Sequence, residues 1–536
     1  MVLGLRARRC QIGGEACWGR RWVGPALVAA LAGLAAPAGI AGLGCGTSGD
    51  PGSPGAAGLA DSAGATSRLA ASGPGSAGSS EARALEVDGG PPGRDAGAPS
   101  NPQATLGREV ASPRARPEVR EGVVREGVVR AGAVRACSFE EAVCVHGAAG
   151  VSSGALAATL RHAEGALRAQ RALGIPPPLP DGLLGGGPGL DIFVVVGGGG
   201  GGGGPGAEAP FVAADVELLT GPFDRSSAFI VLPPPDIWDI CEARVRTARA
   251  VAEASLMRLD AGAEAGVVRM AASYIASLTG PCSSIEIPAM DELQRSPERA
   301  ITETLTASPL DGAFLFPWYL DEAYGTGRPA AVITGLFAVA AQRTPPGAWV
   351  FHNEPDVFDA LRRVVRDRGS TLDDLLLDFT VARGFVGSRS DEGHLTDVVR
   401  FGDAGRVRFE WAVPFVSLPR RLAPLRPIEP TGATYIWLDL DGAPAGAGLT
   451  FVADWELDVL FRWALVKVDR SGREVARITV PGIFGSTHAE QTVVGIDNLA
   501  GLLIVGVNTG SMDRSRPFDP DEAPFMPRSY TVTLYP

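Results

Sequence analysis

The sequence predicts an α+β multidomain protein: a mainly helical domain with a few strands, then an all-β sandwich, both behind a long N-terminal linker. Three observations predict it. Between Ser152 and Val386, apolar residues recur at helical spacing, interrupted by short continuous apolar runs. After Gly405 the chain turns to short β-rich segments separated by Gly, Pro and Asp turns, with no helical stretch between them. Residues 46–136 are rich in Gly, Ala, Ser and Pro and nearly free of aromatics. Such a composition cannot bury enough apolar surface to offset its ordering entropy. The expected divisions are an export signal at 1–44, a disordered tether at 45–136, a helix-rich domain at 137–400 and a sandwich at 405–536.

The chain opens on Arg6, Arg8, Arg9, Arg20 and Arg21, followed by an uncharged run, Trp22–Gly44, that ends at Cys45. A basic start, an apolar middle and a small residue before the cut is the pattern of an export signal. Three readings fit the run. Ala41-Gly42-Leu43-Gly44-Cys45 resembles a bacterial lipobox, with Leu43 two positions before the cysteine instead of three. Ala36-Pro37-Ala38 offers a small-x-small site to an ordinary signal peptidase. A spanning helix is the third, and Pro25, Pro37 and the Ala/Gly content weigh against it. The cysteines favour the first. Cleavage at Gly44 discards Cys10 and Cys17, Cys137 and Cys144 close a short loop, and Cys241 pairs with Cys282. Cys45 is then left over, and a lipid on it removes an odd thiol from an oxidising compartment. The expected location is the bacterial cell envelope, anchored to a membrane through Cys45.

The net charge of −12 is spread along the chain without a dense basic stripe, which disfavours nucleic acid as a partner. The five-residue repeat at Arg120, Arg125, Arg130 and Arg135 reads as a solvated stretch of the tether. Order is expected from Cys137. Ser152 or Ser153 caps an Ala-rich helix ending near Gly174. Leu190–Val196 and Ala228–Leu232 read as buried strands, with the glycine run Gly197–Gly204 as a loop between them. A helix from Ile237, stopped at Gly262, and a second carrying Val267, Ala271, Tyr274 and Leu278 form an antiparallel hairpin. Its open end brings Cys241 to Cys282. Helices follow at 311–323, 329–342, 356–368 and 371–386, the last with Ser370 and Asp373 as a capping box. Strands are expected at Arg406–Phe415, Thr434–Leu440, Leu449–Val452, Phe461–Val468, Glu474–Val480, Thr492–Ile496, Leu502–Asn508 and Ser529–Leu534.

Candidate chemistry is sparse. The five histidines are His146, His162, His352, His394 and His488, and none stands four residues from another. There is thus no H-E-x-x-H, which places two zinc ligands on one helix face. In Ala252-Glu253-Ala254-Ser255-Leu256, Glu253 stands where the general base would be, while Ala252 and Leu256 replace both ligands. Arg249 offers Glu253 an i,i+4 partner, as Arg246 does Glu242. Gly150-Val151-Ser152-Ser153-Gly154 matches the G-x-S-x-G of serine hydrolases, with His394 and Asp373 or Asp374 downstream, but that motif needs a strand running into the serine, and His146-Gly147-Ala148-Ala149 ahead of it does not read as a strand end. Asp439, Asp441 and Gly442, or Asp519, Asp521 and Glu522, would offer calcium oxygen ligands, though acidic turns account for both sets. Trp318, Tyr319, Trp349, Trp437, Trp455 and Trp463 read as core.

The stretch ALGIPPPLPDG (172–182), Leu190-Asp191-Ile192-Phe193, Leu259-Asp260, Pro297-Glu298-Arg299 and FPWYLDEAYG (316–325) together resemble exported bacterial metallopeptidases of the zincin type with a C-terminal β-sandwich. The resemblance covers 137–390 and implies that fold with a cleft. The departures at Ala252 and Leu256 mean that it does not carry catalysis across. The expected function is therefore that of an anchored envelope protein with a degenerate, non-catalytic metallopeptidase-like domain, its binding role unassigned, which would act by holding a polypeptide or other partner, with no cofactor expected. A hydrolase, either a divergent zinc peptidase or a serine enzyme using Ser152, is the alternative.

Overall fold

The computed structural model describes residues 124–125, 135–147, 150–182, 189–195, 211–215, 223–303, 308–341, 355–391, 393–457, 459–483, 485–511 and 527–536. The signal segment, Cys45, Gly197–Gly204, His352, Trp349 and the acidic set Asp519, Asp521 and Glu522 lie outside them. The described residues fall within one compact unit, Ala96–Pro536. They mix helices and strands, as the sequence predicts. Among them, no helix is long and apolar enough to cross a membrane.

The first layer is a sheet. Strands β1 (Val124–Arg125), β2 (Arg135–Cys137) and β3 (Val143–Gly147) are followed by helix α1 (Ser153–Ala172), then β4 (Leu190–Val194), β5 (Phe211–Ala214) and β6 (Ala228–Leu232). The strands lie in the order β1-β2-β3-β4-β6-β5. β3, β4 and β6 run parallel, and β5 joins the edge antiparallel. Parallel strands covered on both faces need apolar side chains throughout, and β3, β4 and β6 are buried at every position. Ordered structure thus reaches back into the stretch expected to be tether. Val124 and Arg125 pair with Ala136 and Cys137, and β2 and β3 set Cys137 directly opposite Cys144. The two cysteines form a disulfide across a Cα–Cα distance of 4.1 Å.

Helices α2 (Ile240–Leu259), α3 (Ala265–Thr279), α4 (Ser283–Arg295), α5 (Leu315–Tyr324), α6 (Ala331–Ala340), α7 (Val357–Asp367) and α8 (Leu372–Gly384) follow. α1 and α2 bury Leu156, Leu160, Val245 and Val251 against Val145, Ile192 and Ile230 of the sheet. The expected hairpin is α2 and α3, and the disulfide Cys241–Cys282 closes its open end over a sequence separation of 41. Three local expectations shift. Ile237 belongs to a 3₁₀ turn, and α2 starts three residues later, with Asp239 accepting from the Glu242 N–H at 2.8 Å. The α8 cap is Thr371, whose hydroxyl accepts from Asp374 N at 3.1 Å, so the capping pair lies one residue beyond Ser370 and Asp373. α4 was not expected, and it holds Pro288 within it.

After Gly405 come β7 (Trp411–Pro414), β8 (Arg420–Leu422), β9 (Ala433–Asp439), β10 (Gly448–Trp455), β11 (Val459–Val468), β12 (Glu474–Val480), β13 (His488–Val494), β14 (Gly501–Ser511) and β15 (Tyr530–Tyr535). They build two sheets, β13-β10-β15-β8 and β12-β11-β14-β9-β7. Phe451, Trp455, Phe461, Trp463, Tyr530 and Leu534 fill the space between them, which gives the β-sandwich.

The five-stranded sheet has a second buried face. Alternate residues of β9, β11 and β14 (Tyr435, Ala464, Val466, Leu503 and Val505) enter the same core as the helices. α8 lies directly on this face, and a Cβ on Gly384 would meet Leu503 Cδ2 at 2.9 Å. Polar groups close the seam. Tyr435 donates to Thr380 O at 2.7 Å. Buried Arg383 donates to Gln294 Oε1 at 2.9 Å, and Gln294 donates to Gly405 O at 2.7 Å. Backbone bonds from Ala433 N to Pro297 O and from Glu429 N to Glu298 O tie the start of β9 and the segment before it to the turn after α4, and a Cβ on Gly432 would sit 2.2 Å from Glu298 O. The division at 400–405 marks a change of secondary structure within one continuous core.

Candidate functional site

α2 carries the position where a zincin-type site would sit. Burial of its inner face by α1, α3 and the sheet decides which side chains remain reachable. Ala252 and Leu256, at 0% exposure, are in the core. Glu253 is partly buried, and its carboxylate stands 3.4 Å from Nε of buried Arg249. Two turns earlier Arg246 donates to Glu242 Oε1 at 2.7 Å and stacks over Trp238, 4.8 Å from the ring centre. Arg269 of α3 stands 3.9 Å from Asp311, and burial, then the neighbouring Arg249 charge, holds its guanidinium below the ordinary range. These residues do not fit a zinc ion. The two ligand positions offer methyl and isobutyl groups, and among the described residues no three His, Cys, Asp or Glu side chains converge as metal ligands. Glu253 is an ion-pair partner of Arg249.

Ser152 is the N-cap of α1, its hydroxyl accepting from Ala155 N at 3.1 Å. Contrary to the sequence reading, a strand does precede the motif, since β3 runs to Gly147. The serine nevertheless sits in extended backbone at φ −73° and ψ 151°, as an N-cap does, and not on a strained strand-to-helix elbow. His394 is held elsewhere, by Asp391 and Glu474. Asp373 lies in the first turn of α8, and Asp374 is taken by Thr371 and Arg462. The four groups of the supposed hydrolase therefore serve separate structural tasks. At the calcium candidate, Asp439 Oδ1 accepts from Asp441 N at 3.0 Å, which is an Asx turn.

The remaining histidines are paired or apart. His146 and Asp191, both buried, bond at 2.8 Å between adjacent parallel strands, and the imidazole stacks on Phe193 with centroids 4.8 Å apart. His162 is held below its ordinary range by burial, Arg161 and Arg244. His488 bonds Asp454 at 2.8 Å on the open face of the smaller sheet. Asp260, the C-cap of α2, is buried with its carboxyl well above the usual range, through burial and the charges of Asp224 and Asp356.

Sequence reasoning missed a polar cluster around His394. Nδ1 of His394 lies 2.8 Å from Asp391 Oδ1 and Nε2 lies 2.7 Å from Glu474 Oε2. Arg477 donates to Glu474 Oε2 at 2.9 Å and to Asp378 Oδ1 at 2.7 Å. The ring lies flat on Phe385, with centroids 4.2 Å apart and planes 5° apart. The spacings Asp391-x-x-His394 and Glu474-x-x-Arg477 were its only local trace. The 80 residues separating His394 from Glu474 hide the rest.

No family model matches the chain, and no curated protein matches it. Among solved structures, the pre-peptidase C-terminal domain of a collagenase from Bacillus anthracis is similar over 24% of this chain and 96% of that one, at 8% identity and TM-score 0.17. The chitosan-binding module 1 of a chitosanase/glucanase from Paenibacillus sp. IK-5 is similar over 22% of this chain and 79% of that one, at 14% identity and TM-score 0.14. Likenesses at these scores are to small β domains and assign no function to the chain.

Proposed function

We propose that the protein is an exported, lipid-anchored envelope protein whose degenerate metallopeptidase-like domain holds a polypeptide partner without cleaving it. The observation that carries this reading is the state of α2. Ala252 and Leu256 are core residues and Glu253 is engaged by Arg249, so neither a metal nor a free base is available where hydrolysis would need both. The two disulfides, Cys137–Cys144 and Cys241–Cys282, support an oxidising compartment. They also support lipidation at Cys45, because each of the other cysteines after the signal then has a partner. Metal analysis and a peptidase assay on the purified full chain test the domain assignment. No stoichiometric zinc and no turnover are expected. Bound zinc, or peptidase activity abolished by Glu253→Gln, would overturn it. The anchor is tested separately: Cys45→Ala should release the protein from the membrane fraction, and retention there would refute the lipid.

A further inference from the structure

The cluster around His394 belongs to neither candidate chemistry and spans two parts of the chain that sequence separates widely. We propose that His394 is a pH-operated latch, which as an imidazolium fastens the edge strand β12 to the segment following α8 and on losing its proton releases that edge.

The geometry carries the inference. Both ring nitrogens face carboxylate oxygens, at 2.8 Å to Asp391 and 2.7 Å to Glu474. A neutral imidazole has one N–H, so one carboxylate would face a lone pair. Only the doubly protonated ring donates to both. The Phe385 face, 4.2 Å away, fixes the ring plane so that it cannot turn from one acceptor to the other. Asp391 also accepts from Gly393 N at 2.9 Å and Glu474 N at 3.2 Å, which extends the clasp to the β12 backbone.

The charged groups facing the ring are few. The 391–394 turn supplies Asp391. β12 supplies Glu474 and Arg477, whose Nη2 lies 3.2 Å from His394 Nε2. α8 supplies Asp378 through Arg477, and α5 places Tyr319 beside that guanidinium. Three carboxylates thus surround two cations when the ring is charged, and one cation when it is not. β12 ends its sheet and is paired only to β11 among the described residues, so its outer side depends on such side-chain ties.

The sign follows. Burial lowers the His394 value, but the bonds to Glu474 and Asp391 outweigh it and leave the group above its ordinary range. Its contribution is fully present below the unfolded value of about 6.5 and is lost as pH rises through the folded value. On the acid side Glu474 is held down to about 2, burial being outweighed by His394 and Arg477, and Asp391 is also depressed. Their share is present above the ordinary carboxylate range and is lost as pH falls through the folded values.

Hydrogen exchange of the full chain, corrected for the intrinsic pH dependence of exchange, tests the latch. Protection of 385–391 and of 474–480 should fall about tenfold between about pH 6 and about pH 9, while α1 is unchanged. In His394→Gln both segments should exchange fast at every pH in that range. Glu474→Gln, which keeps the imidazole and removes one acceptor, should move the transition to lower pH. Flat protection in the wild type, persistence of the transition in His394→Gln, or an unmoved midpoint in Glu474→Gln would overturn the proposal. The wild-type and Glu474→Gln profiles decide it if His394→Gln fails to fold.

Discussion

Leu256 and Ala252 put hydrocarbon where a zincin-type helix would carry imidazoles, and each is enclosed by α1, α3 and the sheet. Restoring a ligand there means placing a polar ring in a packed, dry site. Leu256→His should therefore cost about 2–5 kcal/mol, as cavity, strain and unmet hydrogen bonds combine, read as a fall in denaturation midpoint. A cost below about 0.5 kcal/mol, the range of surface substitutions, would mean that the position opens to solvent. Ser152 presents the opposite case, a residue that resembles a nucleophile and acts as a cap. Ser152→Ala should lower stability by about 1 kcal/mol and alter no hydrolytic rate. Both outcomes were legible in part from sequence: the missing histidines and the Ala-rich helix after Ser152 are local facts. The surroundings of His394 were not legible, because its partners come from a turn, a distant strand and a preceding helix.

At the level of elements, periodicity found the long helices and the sandwich strands, because one buried stripe or one alternating face is written into consecutive residues. It failed where a single residue breaks a local rule. Pro288 stands inside α4, past its first turn, where it removes an N–H that would otherwise close a helical hydrogen bond. Cap position slipped by one between Ser370 and Thr371, since either hydroxyl can precede an acidic residue three places on. The two are separable: Thr371→Ala should destabilise by about 1 kcal/mol and Ser370→Ala by only a few tenths, compared by urea denaturation. Equal costs would contradict the observed cap. β2 and β5 escaped notice because they are only 3 and 4 residues long, too short for an alternation to stand out.

On the scale of the whole molecule, the helices and the sandwich share one core through the second face of the five-stranded sheet. Heating or denaturant should therefore unfold them together, with tryptophan fluorescence and far-ultraviolet circular dichroism giving one coincident transition. Two resolved transitions would show that the seam through Arg383, Gln294 and Tyr435 is weaker than the packing describes. A trace of the seam was present in the sequence. β11 and β14 read WALVKV and LLIVGV without strict alternation, as strands buried on both faces do. By itself the sequence determined the class of the fold, most element positions, both cysteine pairings and the lack of a zinc motif, because each depends on spacing along the chain. Only the tertiary structure decided that the helical part and the sandwich form one body and that His394 sits between two carboxylates. Those depend on which faces meet, and side chains 80 or more residues apart are brought together by packing that no local pattern encodes.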